Sequence, residues 1–256
     1  MNKLILFTTV LMAIVLTKHA FTQSAEDRFQ FEPVLEKING VSSGTAPSDA
    51  IVLFDGSNMD AWMTAETEEA AHWEIENGAM TVRPGMQTIK TRQNFGDIQL
   101  HLEWRPTDVI EGAGQSRGNS GVFLHSLFEV QVLDSWDNPT YVNGQAASVY
   151  LQYPPLVNAA RRPGEWQSYD IIFEAPQYDG DGKLEVPAYL TVLHNGVLVH
   201  NHVELKGATH TPVPEYSANC VPYSRKSEQD CSGRMPISLQ DHGQVVSYRN
   251  IWVREL

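Results

Sequence analysis

The sequence predicts an all-β domain, a two-sheet β-sandwich or jelly roll, on three observations. Roughly a dozen short runs of β-branched, aromatic and alternating apolar residues follow one another from residue 51 onward. Gly, Pro, Asn and Asp punctuate them, most sharply at Asn77-Gly78 and Asn195-Gly196, where both central turn positions need positive φ. No long segment holds a helical period. Many short strands with regular turn signals are the mark of sandwiches and jelly rolls.

The elements follow in chain order. Lys3, an apolar run over 4–16 and small or polar residues over 20–24 predict a secretory signal ending at Gln23. That run is too short for a full membrane span, so the expectation is an exported protein, periplasmic or extracellular, with no span in the mature chain. Residues 24–48 are polar and read as an irregular lead-in with a short helix near 33–38. The folded domain is then 49–256. Its expected strands are 51–54, 73–75, 79–82, 98–104, 122–124, 128–133, 148–151, 169–173, 188–194, 197–202, 237–240 and 245–254. Two long insertions, 138–160 and 207–235, are placed to shape a binding site. The second holds Cys220 and Cys231, which in an exported chain most simply form one disulfide closing a loop.

Formal net charge is −13, and removal of a leader carrying Lys3 and Lys18 makes it more negative. Such a chain repels phosphate backbones, so nucleic acid is not an expected partner. A neutral small carbohydrate is compatible with it. There is no phosphate-binding loop and no serine nucleophile elbow. The 179–183 run mimics part of a calcium loop without its closing Glu and reads as a solvated hairpin. His194, His200 and His202 also read as an exposed hairpin, since no carboxylate or Cys completes a ligand set.

The stretch 118–134 carries the chemistry. In Phe128-Glu129-Val130-Gln131-Val132-Leu133-Asp134, Glu129 and Gln131 share one face of a strand while the valines share the other. A carboxylate and an amide on the open face of a half-buried strand can hold a sugar or move a proton. Asp134 faces away if the strand stays regular, and a β-bulge would return it. His242, in Leu239-Gln240-Asp241-His242-Gly243, is the second candidate acid or base, because histidine is the residue type suited to proton transfer near neutral pH. Asn119, Gln131, Asp134 and Gln240 are candidate sugar binders, with Trp136 as a stacking surface and Arg105 as a cation. Trp62, Trp104 and Trp166 are stacking faces or core. These residues point to no particular cofactor. A divalent metal is compatible with Glu129, Asp134 and His242 as ligands.

The pieces resemble a bacterial family, the 3-keto-disaccharide hydrolases, also met as 3-keto-glucoside hydrolases or lyases. They run in order over 51–256: Leu53-Phe54-Asp55-Gly56 with Trp62, Trp73-Glu74-Ile75-Glu76-Asn77-Gly78, Phe95-Gly96-Asp97-Ile98 leading to Glu103-Trp104-Arg105, Gly118-Asn119-Ser120-Gly121, the 128–134 strand, Pro163-Gly164-Glu165-Trp166, Asn195-Gly196-Val197, the 239–243 turn, and Tyr248-Arg249-Asn250-Ile251. The chain departs where the family often has Arg (His125) and Asn (Gln167). The resemblance implies a concanavalin A-like sandwich and an exported enzyme acting on glycosides oxidised at C3. A ketone at C3 acidifies the C2 proton, so a base can remove it and the C1 oxygen can leave, with water adding back for net hydrolysis.

Two other readings stand beside this. Concanavalin-like β-glucanases of glycoside hydrolase family 16 place Glu-x-Asp-x-x-Glu on a bulged strand, where this chain has Glu129, Gln131 and Asp134. A retaining hydrolase needs two carboxyls about 5–5.5 Å apart, and the shorter Asp makes that harder to meet. The third reading is a non-catalytic sugar-binding module.

Overall fold

The computed structural model describes residues 45–209, 213–216 and 232–256. The expected leader, the short helix near 33–38 and both cysteines lie outside the described residues. All described residues belong to one compact unit, 38–256. Among them, no helix is long and apolar enough to cross a membrane.

The strands are β1 Ile51–Phe54, β2 Trp62–Thr64, β3 Glu74–Glu76, β4 Ala79–Val82, β5 Ile89–Thr91, β6 Ile98–Pro106, β7 Ser120–Leu124 and β8 Phe128–Val132. They continue as β9 Gln167–Glu174, β10 Gln177–Tyr178, β11 Leu184–Val186, β12 Tyr189–His194, β13 Val197–Glu204, β14 Ser238–Leu239 and β15 Val246–Glu255. One sheet runs β13-β12-β9-β6-β15-β4-β3, with β1 also on β15. The other runs β2-β5-β14-β7-β8, and β10-β11 form a separate ribbon around the 179–183 loop. All named pairings within these sheets are antiparallel. The predicted sandwich is therefore the observed fold.

Alternation explains the layers. In β6, Ile98, Leu100, Leu102 and Trp104 are buried while the residues between them are only half-buried. They join Tyr169, Ile171 and Phe173 of β9 and Tyr248 of β15. From the other sheet, Trp62, Ile89, Val122, Leu124, Val130, Val132 and Leu239 complete the same core. The predicted Asn-Gly turns close hairpins β3–β4 and β12–β13, with φ of 52° and 73° at Asn77 and Gly78 and 53° and 78° at Asn195 and Gly196. β15 carries a bulge. Arg249 pairs with Glu103 and Trp252 with His101, and the extra residue, Asn250, takes φ 47°. Ile251 thus returns to the core while Trp252 stacks on His101 at 5.1 Å.

Two tyrosines tie the sheets together through the core. Tyr169 Oη donates to the Gln131 carbonyl at 2.7 Å. Tyr248 Oη donates to Ser120 Oγ at 2.7 Å, and Ser120 Oγ donates to the Gln240 carbonyl at 2.6 Å. Strands β7, β8 and β14 are thereby fixed to the eight-stranded sheet.

The β12–β13 hairpin differs from the expected exposed one. His194 and His200 are buried, and His200 Nε2 meets the Ala147 carbonyl at 2.8 Å. A register shift between Leu190 and Val192, with φ 47° at His202, separates His202 from His200. His202 instead lies outside, 3.2 Å from Glu174.

Candidate active site on the five-stranded sheet

Phe128, Val130 and Val132 of β8 face the core, so Glu129 and Gln131 face the opposite side of the sheet. Register places Gly121 beside Gln131, Phe123 beside Glu129 and Ser238 beside Phe123. The Gln240 N–H donates to the Gly121 carbonyl, which carries Gln240 onto the same face. Residues 147–150 extend the sheet beyond β8. Val149 bridges Val130, the Gln131 N–H donates to the Ser148 carbonyl, and the Tyr150 N–H donates to the Glu129 carbonyl. Ser148 and Tyr150 therefore stand opposite Gln131 and Glu129, on their face.

Glu129 is 3% exposed, and no cation pairs with it among the described residues. Burial pushes its pKa up to about 8. A Cβ at position 121 would lie 2.6 Å from Glu129 Oε1, so the carboxyl rests against bare glycine backbone. In one orientation the Gln131 amide donates to Gln115 Oε1 at 2.9 Å. Turned over, it donates to the Ser120 carbonyl at 2.9 Å and to Glu129 Oε1 at 3.1 Å. The Tyr150 and Tyr141 hydroxyls are 2.5 Å apart. Burial first, then the bond to Tyr141, raise the Tyr150 pKa above the usual phenol value. Ser148 Oγ and Gln240 Oε1 are buried with no hydrogen-bond partner among the described residues, and a sugar hydroxyl could satisfy either. Together the face offers a carboxyl able to gain or lose a proton near neutral pH, a protonated phenol and several neutral binders.

Of the residues singled out in the sequence, Glu129, Gln131 and Gln240 come together here. Asn119 is buried just before β7. Its side chain donates to the Gln115 carbonyl at 2.9 Å and its N–H donates to Gln244 Oε1 at 2.8 Å, so it braces the rim. Asp134 is not free to act with Glu129. The alternation breaks where Val132 and Leu133 both enter the core, and Asp134 Oδ2 accepts from Arg117 Nε at 2.6 Å. With Asp134 so held, Glu129, Asp134 and His242 do not form one ligand set. No three His, Cys, Asp or Glu groups gather for a metal among the described residues. Trp136 is 36% exposed with Arg162 5.5 Å over its ring. Arg105 projects from the eight-stranded sheet, on the far side of the core. His242 is exposed in a turn that Asp241 stabilises, its carboxylate accepting from the N–H groups of Gly85, Gln87 and Gly243. His125 and Gln167, the two departures, are both buried. His125 Nε2 meets the Phe95 carbonyl at 2.9 Å, and Gln167 bonds Arg161 backbone on both sides.

Sequence reading missed Tyr150, Ser148, Tyr141 and Gln115. Tyr150 lies in the expected 148–151 strand, but only the pairing with β8 puts it opposite Glu129. The visible signal was Gly121, a glycine inside a strand pattern, which marks close approach of another group.

The raised Glu129 pKa makes a prediction about stability. Its protonated form contributes fully below about pH 4.5, and that contribution is lost as pH rises through about 8. Burial holds His194 down to about 4 and His200 below its usual value, so theirs is present above about 6.5 and lost as pH falls. Above pH 6.5 the histidines no longer change, and the Glu129 loss stands alone. The full shift corresponds to at most about 5 kcal/mol. Urea midpoints of the wild type are expected to fall between pH 6.5 and 9, and those of Glu129→Gln to stay flat. Parallel profiles would show that the carboxyl is solvated or paired.

Comparison with known proteins places the chain. Residues 49–254 match the model of the 3-keto-alpha-glucoside-1,2-lyase-like domain. A Bacteroides thetaiotaomicron protein named 3-keto-disaccharide hydrolase is 25% identical, with 82% of this chain and 80% of that protein aligned. A crystal structure from Parabacteroides distasonis, provisionally assigned as a glycosyl hydrolase, is 43% identical, covers 91% of this chain and 97% of its own, and has a TM-score of 0.79. A second structure from that organism, with the same provisional assignment, is 20% identical. It covers 86% of this chain and 100% of its own at a TM-score of 0.56, a likeness of fold.

Proposed function

The chain belongs to the 3-keto-alpha-glucoside-1,2-lyase-like family, and on that premise we propose that it is an exported enzyme cleaving glycosides of 3-keto sugars, with Glu129 as the proton-transfer group. The observation that carries this reading is the Glu129 carboxyl, buried without a cation among the described residues, with burial raising its pKa to about 8. A base of that strength is far better matched to a C2 proton beside a ketone than an ordinary carboxylate.

In the proposed cycle, ionised Glu129 takes the C2 proton and the electrons of that bond form a C1–C2 double bond. The C1–O bond breaks, and the leaving oxygen takes a proton. Addition of water across the double bond then completes net hydrolysis. Gln131, its backbone anchored by Tyr169, keeps Glu129 in place when its amide is turned over to donate to Glu129 Oε1. Ser148 and Gln240 are placed to bind sugar hydroxyls. His242, exposed two residues beyond Gln240, is the proposed donor to the leaving oxygen. The retaining β-glucanase reading loses ground because its second carboxyl, Asp134, is committed to Arg117.

Two substrates test the reading. Purified protein is expected to release the aglycone from an aryl 3-keto-glucoside and leave plain β-glucan intact. Turnover of β-glucan alone would favour the glucanase, and sugar binding without turnover a binding module. His242→Ala is expected to slow aglycone release at least about a hundredfold. A loss under threefold would move proton delivery to another group, with Tyr150, opposite Glu129 on the same face, as the next candidate.

A further inference from the structure

The outer face of the eight-stranded sheet holds a cavity of about 620 Å³ lined by Thr81, Arg83, Arg105, Trp166, Ser247 and Arg249. It is separate from the Glu129 face. Arg105 and Ser247 point outward while their strand neighbours Trp104 and Tyr248 fill the core, and the five-stranded sheet lies beyond them. Trp166 is half-buried, with Arg105 4.6 Å and Arg249 4.1 Å from its ring centre. Two of the three arginines are neutralised, Arg83 by Glu74 and Arg249 by Glu103, each at 2.6 Å. Arg105 has no carboxylate partner among the described residues. It is a bare cation inside a cavity of a protein with net charge −13. A guanidinium resting over a ring keeps its N–H edge available for a planar anion.

We propose that this cavity is a second carbohydrate site, which takes the carboxylate of a uronic acid on Arg105 beside Trp166. The walls choose this ligand over a dianion. Glu76 and Asp108 also line the cavity. They repel a dianion such as phosphate more strongly than a single carboxylate, and can accept hydrogen bonds from sugar hydroxyls, as Asn77, Thr81 and Ser247 can donate or accept them. One unpaired cation matches one carboxylate. Such a site would hold an acidic saccharide to the enzyme without placing it at Glu129.

The test is calorimetric titration of the full-length protein with glucuronate, glucose and inorganic phosphate. Saturable glucuronate binding is expected, at least tenfold tighter than glucose or phosphate. Arg105→Gln is expected to weaken it at least tenfold, and Arg105→Lys to restore part of the loss. Glu129→Gln is expected to bind glucuronate as the wild type does, which separates this site from the proposed active site. Absence of saturation, equal binding of glucose or phosphate, an unchanged affinity in a folded Arg105→Gln, or loss in Glu129→Gln would each overturn the proposal.

Discussion

Glu129→Gln is expected to slow aglycone release from a 3-keto-glucoside at least about a hundredfold, chiefly in kcat. The substitution keeps shape and volume. It also keeps an acceptor oxygen for Gln131, whose turned-over amide lies 3.1 Å from the carboxyl. What it removes is the proton. The wild-type rate should rise with pH and level off near 8, because the base must be ionised and burial holds its pKa there. The residual rate of the variant should lack that rise. A wild-type rate that falls through pH 8 would instead make Glu129 the acid. Loss of folding does not confound the measurement, since a neutral amide at a site that disfavours charge is expected to stabilise the fold at alkaline pH.

Arg117→Ala is expected to have the largest effect on stability. Arg117 donates to Asp134 at 2.6 Å and to the Trp136 carbonyl at 2.7 Å, and both members of the ion pair are nearly buried. Removing one partner strands the other charge, a loss of about 3–5 kcal/mol. The pair clips the end of β8 to the segment entering β7, where the Asp134 N–H also donates to the Arg117 carbonyl. The urea midpoint should therefore drop sharply. The double variant Arg117→Met/Asp134→Asn should recover much of the loss, because no uncompensated charge remains. A fall below about 1 kcal/mol in the single variant would show that Asp134 has access to water or to another cation.

Much of this architecture was written locally. The runs 51–54 and 79–82 coincide with β1 and β4, and both Asn-Gly turns have the positive φ they signalled. Alternation in Phe128–Val132 told which side chains leave the core, and so singled out Glu129 and Gln131. What was missed depended on partners distant in sequence. β2 and β5 have three residues each, too few to show a period, and exist because they pair with each other and, for β5, with β14. The bulges at Asn250 and His202 shift faces by one residue, which no local pattern announces. His200 and His202 were expected together in one exposed hairpin, and the irregularity at His202 parts them. Tyr150 joins the site only through the Val130–Val149 bridge. Asp134 could not be placed because its fate turned on Arg117, seventeen residues upstream. Arg105 was read as a sugar-binding cation in the same site, but strand parity sends it to the other face of the sandwich.

The most direct measurement is turnover of a 3-keto-glucoside in D2O, with wild type and Glu129→Gln side by side, followed by mass and NMR analysis of the released sugar. Abstraction of the C2 proton by Glu129 requires aglycone release with deuterium at C2 in the wild type, and neither in the variant. Release without deuterium at C2, or equal release by the variant, would contradict the assignment of Glu129 as the base.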